Sequence, residues 1–384
     1  MDIIPSIPEF FRNKNIFITG GSGFIGKVLV EKLLRSCPDL KSIYLLTRNK
    51  KRKTVEERVK AITDLPLFDL VKAQNCDAFQ KIKVVKGDVA ELNLGLSAED
   101  RRLLIEEINI VIHSAASIRF DDPLPKAVFI NTRGTREVAR LALDMKNVEV
   151  FLHISTTYCN TDREVIKEQL YPAHADWEKT IEIAENVDDH ILNVLTSKYI
   201  HPLPNTYTFT KSLAEHVVHD LLAGKVPAVI FRPSIVGCTL AEPFPGWIDN
   251  FNGPVGLSVA SGKGLIRTYH CDPNMILDHV PVDIITKAII TSAWKQATLN
   301  NPKERLEVTF YNGSDNRNSN ITLGETLKLA KRICWEVPLN HVLWLPEGGI
   351  TKCIYYHWFR LIFYQLLPAL LLDGLIKLAG RKPM

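Results

Sequence analysis

The segment NTYTFTKSLAEHVV carries Tyr207 and Lys211 four positions apart, a spacing that puts both side chains on one face of a helix. A tyrosine at its ordinary pKa of ~10 is a poor acid at neutral pH. A neighbouring ammonium favours the phenolate and lowers that value, so the pair predicts a phenol able to give a proton to a carbonyl that receives hydride. Upstream, HISTTYCN ends an apolar run with the hydroxyls Ser155, Thr156 and Thr157, any one of which can hydrogen-bond the same carbonyl oxygen. Cys159 in that stretch reads as a packed loop cysteine rather than a nucleophile.

A hydride needs a carrier, and NIFITGGSGFIGKVLVEKLL supplies a seat for one. Apolar Ile16, Phe17 and Ile18 read as a strand, Gly20, Gly23 and Gly26 as a turn, and Val28, Leu29, Leu33 and Leu34 as a helix of regular period. Such a turn lets backbone N–H groups and a helix N-terminus approach a pyrophosphate. The next strand, SIYLLTR, ends in Arg48, 22 positions after Gly26, where an NAD enzyme would show an acid for the ribose hydroxyls. Arg48 and the basic run Lys50, Lys51, Arg52 and Lys53 instead suit a 2′-phosphate, so NADPH is the expected cofactor. Asp88, in GDV, is placed to meet an adenine amino group, and small Ala115 and Ala116 let the cofactor pass close. His113 reads as a satisfied strand-end histidine.

These groups need a frame. Short apolar runs at 81–89, 108–116, 148–156 and 226–234 alternate with amphipathic stretches, notably 126–145 and 210–222, which predicts an α/β, doubly wound parallel Rossmann sheet. A smaller, mostly helical substrate region and a hydrophobic C-terminal helical segment complete the expected fold. The expected divisions are a catalytic domain over 10–300 with insertions at 160–205 and 239–282, a connecting segment over 301–350 and a hydrophobic region over 351–384. The first insertion carries the charged, helix-like HADWEKTIEIAENV and reads as a cover over the active site. The second is rich in proline and glycine, carries Phe244, Trp247 and Phe251, and suits an apolar tunnel mouth or a packed loop.

The chain's 384 residues, 46% hydrophobic and 23% charged, describe a globular protein with a sizeable core. A net charge of +4 with no basic, aromatic-interleaved stripe argues against nucleic acid. Seven scattered cysteines with no C-x-x-C pair indicate neither a disulfide framework nor a zinc site, and Cys353 with His357 read as core or interface residues. The opening MDIIPSIPEFFRNKN lacks a basic n-region and a long apolar core, so a secretory signal is not expected. Lys263 and Arg267 read as solvated charges. At the other end, the uncharged run Leu361–Leu372 is 12 residues long and holds Gln365 and Pro368, short of the ~20 apolar residues of a spanning helix. With Pro368 expected to kink it, a segment lying on the membrane surface is the preferred reading, ahead of a channel wall or a buried helical pair.

The combination of T-G-G-x-G-F-x-G, HSAAS, Asn131 in INTRGT, ISTTYCN, YTFTK and FRPSIVG resembles the extended short-chain dehydrogenase/reductases. More closely, with EPFPGWIDNFNGPVGL and LLPALLLDGLIKLAGRKPM, the chain resembles the alcohol-forming fatty acyl-CoA reductases of animals, insects in particular, from about residue 10 onward. The resemblance implies that Thr156, rather than Ser155, is the catalytic hydroxyl, with Tyr207 the acid and Lys211 its partner. It implies a cofactor shell of Gly20, Gly23, Phe24, Ile25, Gly26, Arg48, Asp88, Val89, Ala115, Ala116, Lys211, Pro233 and Ser234, with Arg232 beside the nicotinamide end and Asn131 supporting the lysine. It further implies NADPH-dependent reduction of long-chain acyl-CoA to a primary alcohol through an aldehyde, on a cytosol-facing membrane of the endoplasmic reticulum or peroxisome. Family members continue past this hydrophobic stretch into a further helical domain, so a chain stopping at Met384 is expected to be a truncated product or isoform. The alternatives are an extended reductase for another carbonyl substrate and a cofactor-binding protein without turnover.

Overall fold

The computed structural model describes residues 4–48, 55–315 and 321–381. They form two compact units, one of Met1–Ile248 and Val280–Ser314, the other of Asp249–His279 and Asp315–Met384.

The first unit is built on seven strands: β1 (Asn15–Thr19), β2 (Ser42–Thr47), β3 (Ile82–Lys86), β4 (Ile110–His113), β5 (Val150–Ile154), β6 (Ala228–Pro233) and β7 (Val308–Gly313). Every pairing among them is parallel, in the order β7-β6-β5-β4-β1-β2-β3. The order reverses between β1 and β4, and a ligand crevice opens beyond the carboxyl ends of strands at such a point. Among the described residues, seven strands make this sheet. Val308–Gly313 lies beyond the expected domain end at residue 300, and its register with β6, Phe310 beside Ile230, places it on the sheet's edge.

Helices cover both faces, which is why the strands read as unbroken apolar runs rather than as an alternation. Ile16 and Ile18 pack with Ile110, Leu152 and Val229 under α1 (Phe24–Ser36) and α4 (Val282–Ala297). On the other side, Phe17, Val111, Phe151 and Ile230 pack under α2 (Gly134–Asp144) and α3 (Thr206–Leu222). The first insertion is two helices, Trp177–Asn186 and Asp189–Tyr199, N-capped by Asp176 and Asp188. It docks on α3 through Trp177 and Ile181 against Phe209, Leu213 and Val217. Those α3 positions are two residues round from Tyr207, Lys211 and Glu215, hence on the opposite side of the helix. The insertion therefore buttresses α3 on the side away from Tyr207 and Lys211, where the sequence predicts a cover over the active site.

In the second unit, Thr268–His270 pairs in parallel with Gly349–Thr351, and the helices Pro254–Gly262 and Leu323–Glu336 accompany them. A capping box between Thr322 and Glu325 starts the latter helix. The expected kink at Pro368 is replaced by continuity: helix Ile354–Leu361, a π turn at Ile362–Leu366 and helix Leu367–Leu378 run on without a break. Pro368 follows directly on the π segment, the kind of irregular turn that takes up a proline inside a continuous helix. The 25 residues Ile354–Leu378 are long and apolar enough to cross a membrane, and none of the most apolar stretch is buried.

Candidate active site

The glycine turn is packed backbone on backbone. Gly20 has a φ of +73°, and a Cβ there would lie 2.7 Å from the amide nitrogen of Ala115. A Cβ on Gly26 would meet the Gly20 carbonyl oxygen at 2.3 Å, which is how α1 comes down onto β1. Gly23 is different: its Cβ would meet only that carbonyl, at 3.1 Å. Its amide bonds Gly20 O at 2.9 Å and it N-caps α1, so the free N–H groups of the first helical turn, from Phe24 and Ile25 on, face the crevice. A cradle closed to side chains at Gly20 and Gly26 and lined with helix-terminal donors fits a pyrophosphate.

Toward the adenosine end, Arg48 is exposed and its Nε lies 3.9 Å from Asp88 Oδ2. Asp88 Oδ1 accepts the Ala90 amide at 3.1 Å, and Val89 beside it is buried. The lysine-rich run after Arg48 lies outside the described residues. Ala115 and Ala116 stand at the β4 end, half-buried, with the Ala115 amide bonded to Thr19 Oγ1 at 3.2 Å. His113 is satisfied on both ring nitrogens, by Thr19 Oγ1 at 2.7 Å and Thr135 Oγ1 at 3.0 Å, and burial pushes its pKa down to about 3.

Beyond β5, Ser155 and Thr156 point to different partners. Ser155 Oγ donates to Glu215 deep in the core, whereas Thr156 Oγ1 accepts the Tyr158 amide at 3.2 Å and stands near enough to the Tyr207 phenol to pull its pKa down. Thr156 and Tyr207 thus stand on the crevice side of α3, while Ser155 is turned to the core. Asn205 caps α3 through the Thr208 amide at 2.9 Å, setting Tyr207 one turn before Lys211. The expected depression of the tyrosine is not found: desolvation pushes Tyr207 up to about 12, against the lowering effect of the nearby Thr156 hydroxyl. The ammonium is spent elsewhere. Lys211 Nζ donates to the Ile154 carbonyl at 2.6 Å and to His153 Nε2 at 3.1 Å, and burial lowers its pKa to about 8.

Two expected contacts are absent from this arrangement. Asn131, on the π turn Val128–Arg133, does not reach Lys211. It donates to Thr210 Oγ1 at 2.9 Å and to Ser117 O at 3.1 Å, and accepts the Ser117 amide at 2.8 Å. Arg232 does not line the crevice either. It is wholly buried in a two-pronged pair with Glu215, Nε to Oε1 at 2.8 Å and Nη2 to Oε2 at 2.6 Å. Its remaining N–H groups hold the carbonyls of Lys167 and Gln169 at 3.0 Å each. Pro233 closes β6, and the buried Ser234 amide bonds Gly313 O at 2.9 Å.

Glu215 and His153 are the residues that sequence reasoning missed. Glu215 extends the Tyr207–Lys211 face by one more turn, a spacing visible in YTFTKSLAE. His153 sits two positions before Ser155, its ring centroid 5.2 Å from that of His113 and its Nδ1 without a hydrogen-bond partner among the described residues.

The fold has counterparts among solved structures. A reductase domain of a nonribosomal peptide synthetase from Mycobacterium tuberculosis matches with a TM-score of 0.62 at 19% identity, over 93% of this chain and 76% of that one. The terminal R domain of the myxalamid PKS-NRPS pathway matches with 0.58 at 24% identity, over 79% and 66%. A family profile described as "Male sterility protein", of the NAD-binding kind, covers residues 18–289. Fold and site together define an NAD(P)-binding oxidoreductase.

Sequence relatives narrow the class. "Fatty acyl-CoA reductase 1" of Rattus norvegicus is 41% identical over 379 residues, 98% of this chain and 72% of that protein, and the Homo sapiens counterpart is 40% identical over the same shares. "Fatty acyl-CoA reductase wat" of Drosophila melanogaster is 36% identical over 97% and 71%. This chain belongs to the fatty acyl-CoA reductase family.

Proposed function

We propose that the protein reduces the thioester carbonyl of a long-chain acyl-CoA to a primary alcohol, consuming two NADPH and releasing coenzyme A. The observation that carries this reading is Thr156 at the end of β5 standing near Tyr207 on α3, with Lys211 one helical turn further along. When bound, NADPH supplies hydride to the carbonyl carbon. The two hydroxyls hold the carbonyl oxygen as charge builds on it, which is the largest contribution such a site makes. Tyr207 gives up its proton, and Lys211, seated on the Ile154 carbonyl and His153, offers its one remaining N–H to the ribose beside the nicotinamide. The first hydride makes a hemithioacetal, whose C–S bond breaks to give aldehyde and the thiol of coenzyme A. The second converts aldehyde to alcohol with the same pair of hydroxyls.

The cofactor shell is the one the sequence nominated, Gly20, Gly23, Phe24, Ile25, Gly26, Asp88, Val89, Ala115, Ala116, Lys211, Pro233 and Ser234, with Arg48 taking the 2′-phosphate. Ile354–Leu378 anchors the protein to a membrane, where long acyl chains are found. The test is incubation of the purified 384-residue chain with saturated and unsaturated long-chain acyl-CoA and NADPH, the lipids being identified by mass spectrometry. Fatty alcohol with two NADPH consumed supports the reading. NADPH binding with no lipid product from any acyl-CoA overturns the substrate assignment.

A further inference from the structure

The loop that follows β4 carries two large apolar side chains that the fold does not bury. Ile118 is 51% exposed and Phe120 is 64% exposed, yet the Phe120 ring centroid is only 5.7 Å from that of Tyr207. Exposed apolar groups on a slack loop would mean little. This loop is held at both ends.

At its start, Ser117 is clamped through backbone N–H and C=O by the buried side chain of Asn131, which also holds Thr210 on α3. At its end stands Asp122, itself buried. Its backbone carbonyl accepts from Thr206 Oγ1 at 2.8 Å, and its carboxylate accepts from Ser117 Oγ and from Lys126 Nζ at 2.6 Å. Arg119, between the two apolar residues, and Asp121, just after them, pair with each other at 2.9 Å in solvent. A buried polar frame tied to the first turns of the catalytic helix therefore presents Ile118 and Phe120 as fixed surface. Apolar surface kept exposed beside a polar reaction centre marks a place where an apolar ligand is received.

We propose that Ile118 and Phe120 form the subsite for the alkyl chain next to the reacting carbonyl, and so select long linear acyl groups over short ones. The inference rests on the acyl-CoA reading above, since it needs a carbonyl at Tyr207 that carries a hydrocarbon tail. The carbonyl oxygen lies at the Thr156 and Tyr207 hydroxyls. The first methylenes leave it over the Phe120 ring and continue along Ile118. The other occupant this surface could serve is the nicotinamide ring, and the experiment separates the two.

The full chain in detergent is assayed with NADPH and a series of acyl-CoAs from acetyl to stearoyl, for the native protein, Phe120→Ala, Ile118→Ala and Phe120→Leu. The ratio of kcat/KM for palmitoyl-CoA to that for acetyl-CoA, which lacks the methylenes that meet Phe120 and Ile118, is expected to fall about tenfold in Phe120→Ala and about threefold in Ile118→Ala, the loss of a few methylene contacts. Phe120→Leu keeps most of the ratio, because it keeps apolar volume. NADPH affinity, read from protein fluorescence, stays within about twofold of native in all three. A native-like ratio in Phe120→Ala overturns the subsite while leaving the substrate reading intact. Weakened NADPH binding with an unchanged ratio assigns the surface to the nicotinamide and overturns it as well. A native protein inactive on every acyl-CoA removes the substrate reading and the subsite with it.

Discussion

Lys211 Nζ lies 2.6 Å from the carbonyl oxygen of Ile154 and 3.1 Å from Nε2 of His153, inside the wall of the crevice rather than against the Tyr207 phenol. His153 is held neutral by burial, by the Lys211 charge and by His113, so it serves as an acceptor. The ammonium therefore has a fixed seat and one donor left for the crevice.

Activity should fall as pH rises through about 8, where Lys211 loses its proton and the crevice loses that donor and its positive charge. Stability should move the other way. The folded pKa lies below the unfolded value of 10.5, so between about 8 and 10.5 the unfolded chain binds more protons and the native state gains with pH. Lys211→Met is thus expected to abolish turnover yet melt higher at pH 7, an advantage that shrinks as pH approaches 10. Paired pH–rate and pH–melting curves check both signs.

The Glu215–Arg232 pair ties α3 to β6 and to the 167–169 segment. Glu215→Gln leaves the guanidinium buried without its counter-charge, at a cost of about 3–5 kcal/mol. Replacing Arg232 by Met alone should cost a similar amount, and the double variant clearly less than the sum, as coupled sites do. Urea unfolding of the three variants measures the coupling; additivity would mean that the pair is not acting as a unit.

The glycines differ in what they do. Gly26→Ala should both unfold the turn and abolish cofactor binding, because its Cβ meets backbone at 2.3 Å. Gly23→Ala needs a shift of only a few tenths of an ångström, so it should melt within a few degrees of native and still bind NADPH about tenfold more weakly. Melting curves with fluorescence titrations separate the two effects.

Arg48→Ala should weaken NADPH by about tenfold or more and leave NADH nearly unchanged, since only the former carries the 2′-phosphate. Equal losses for both cofactors would place Arg48 away from that phosphate.

The sheet and its turn were legible because both leave local marks: apolar runs of strand length, glycines at a fixed spacing, and a tyrosine and lysine one helical turn apart. What escaped depended on distance in the chain. VTFYNG has a strand's composition but no motif beside it, and only pairing with β6 makes it part of the sheet. Arg232 looked like a wall residue because its partner is 17 positions back on another element, and no local rule joins them. Tyr207 was expected to sense Lys211 from spacing alone, but a lysine chain is long enough to turn to a strand carbonyl instead. At the C-terminal end, charge set the apparent limits at Arg360 and Asp373. The helix runs past both, with a π turn relieving the proline between them.

The contact between Gly20 and Ala115 bears on heritable variation. What a side chain at Gly20 would strike is the amide nitrogen and Cα of Ala115 and the carbonyl carbon of Ser114, atoms that every amino acid shares. No replacement at 114 or 115 can make room. A selection for suppressors of Gly20→Ala should therefore return true revertants at codon 20 and none at its neighbours across the crevice, whereas Gly21→Ala, which strikes the Leu45 side chain, should be rescued by a smaller residue at 45.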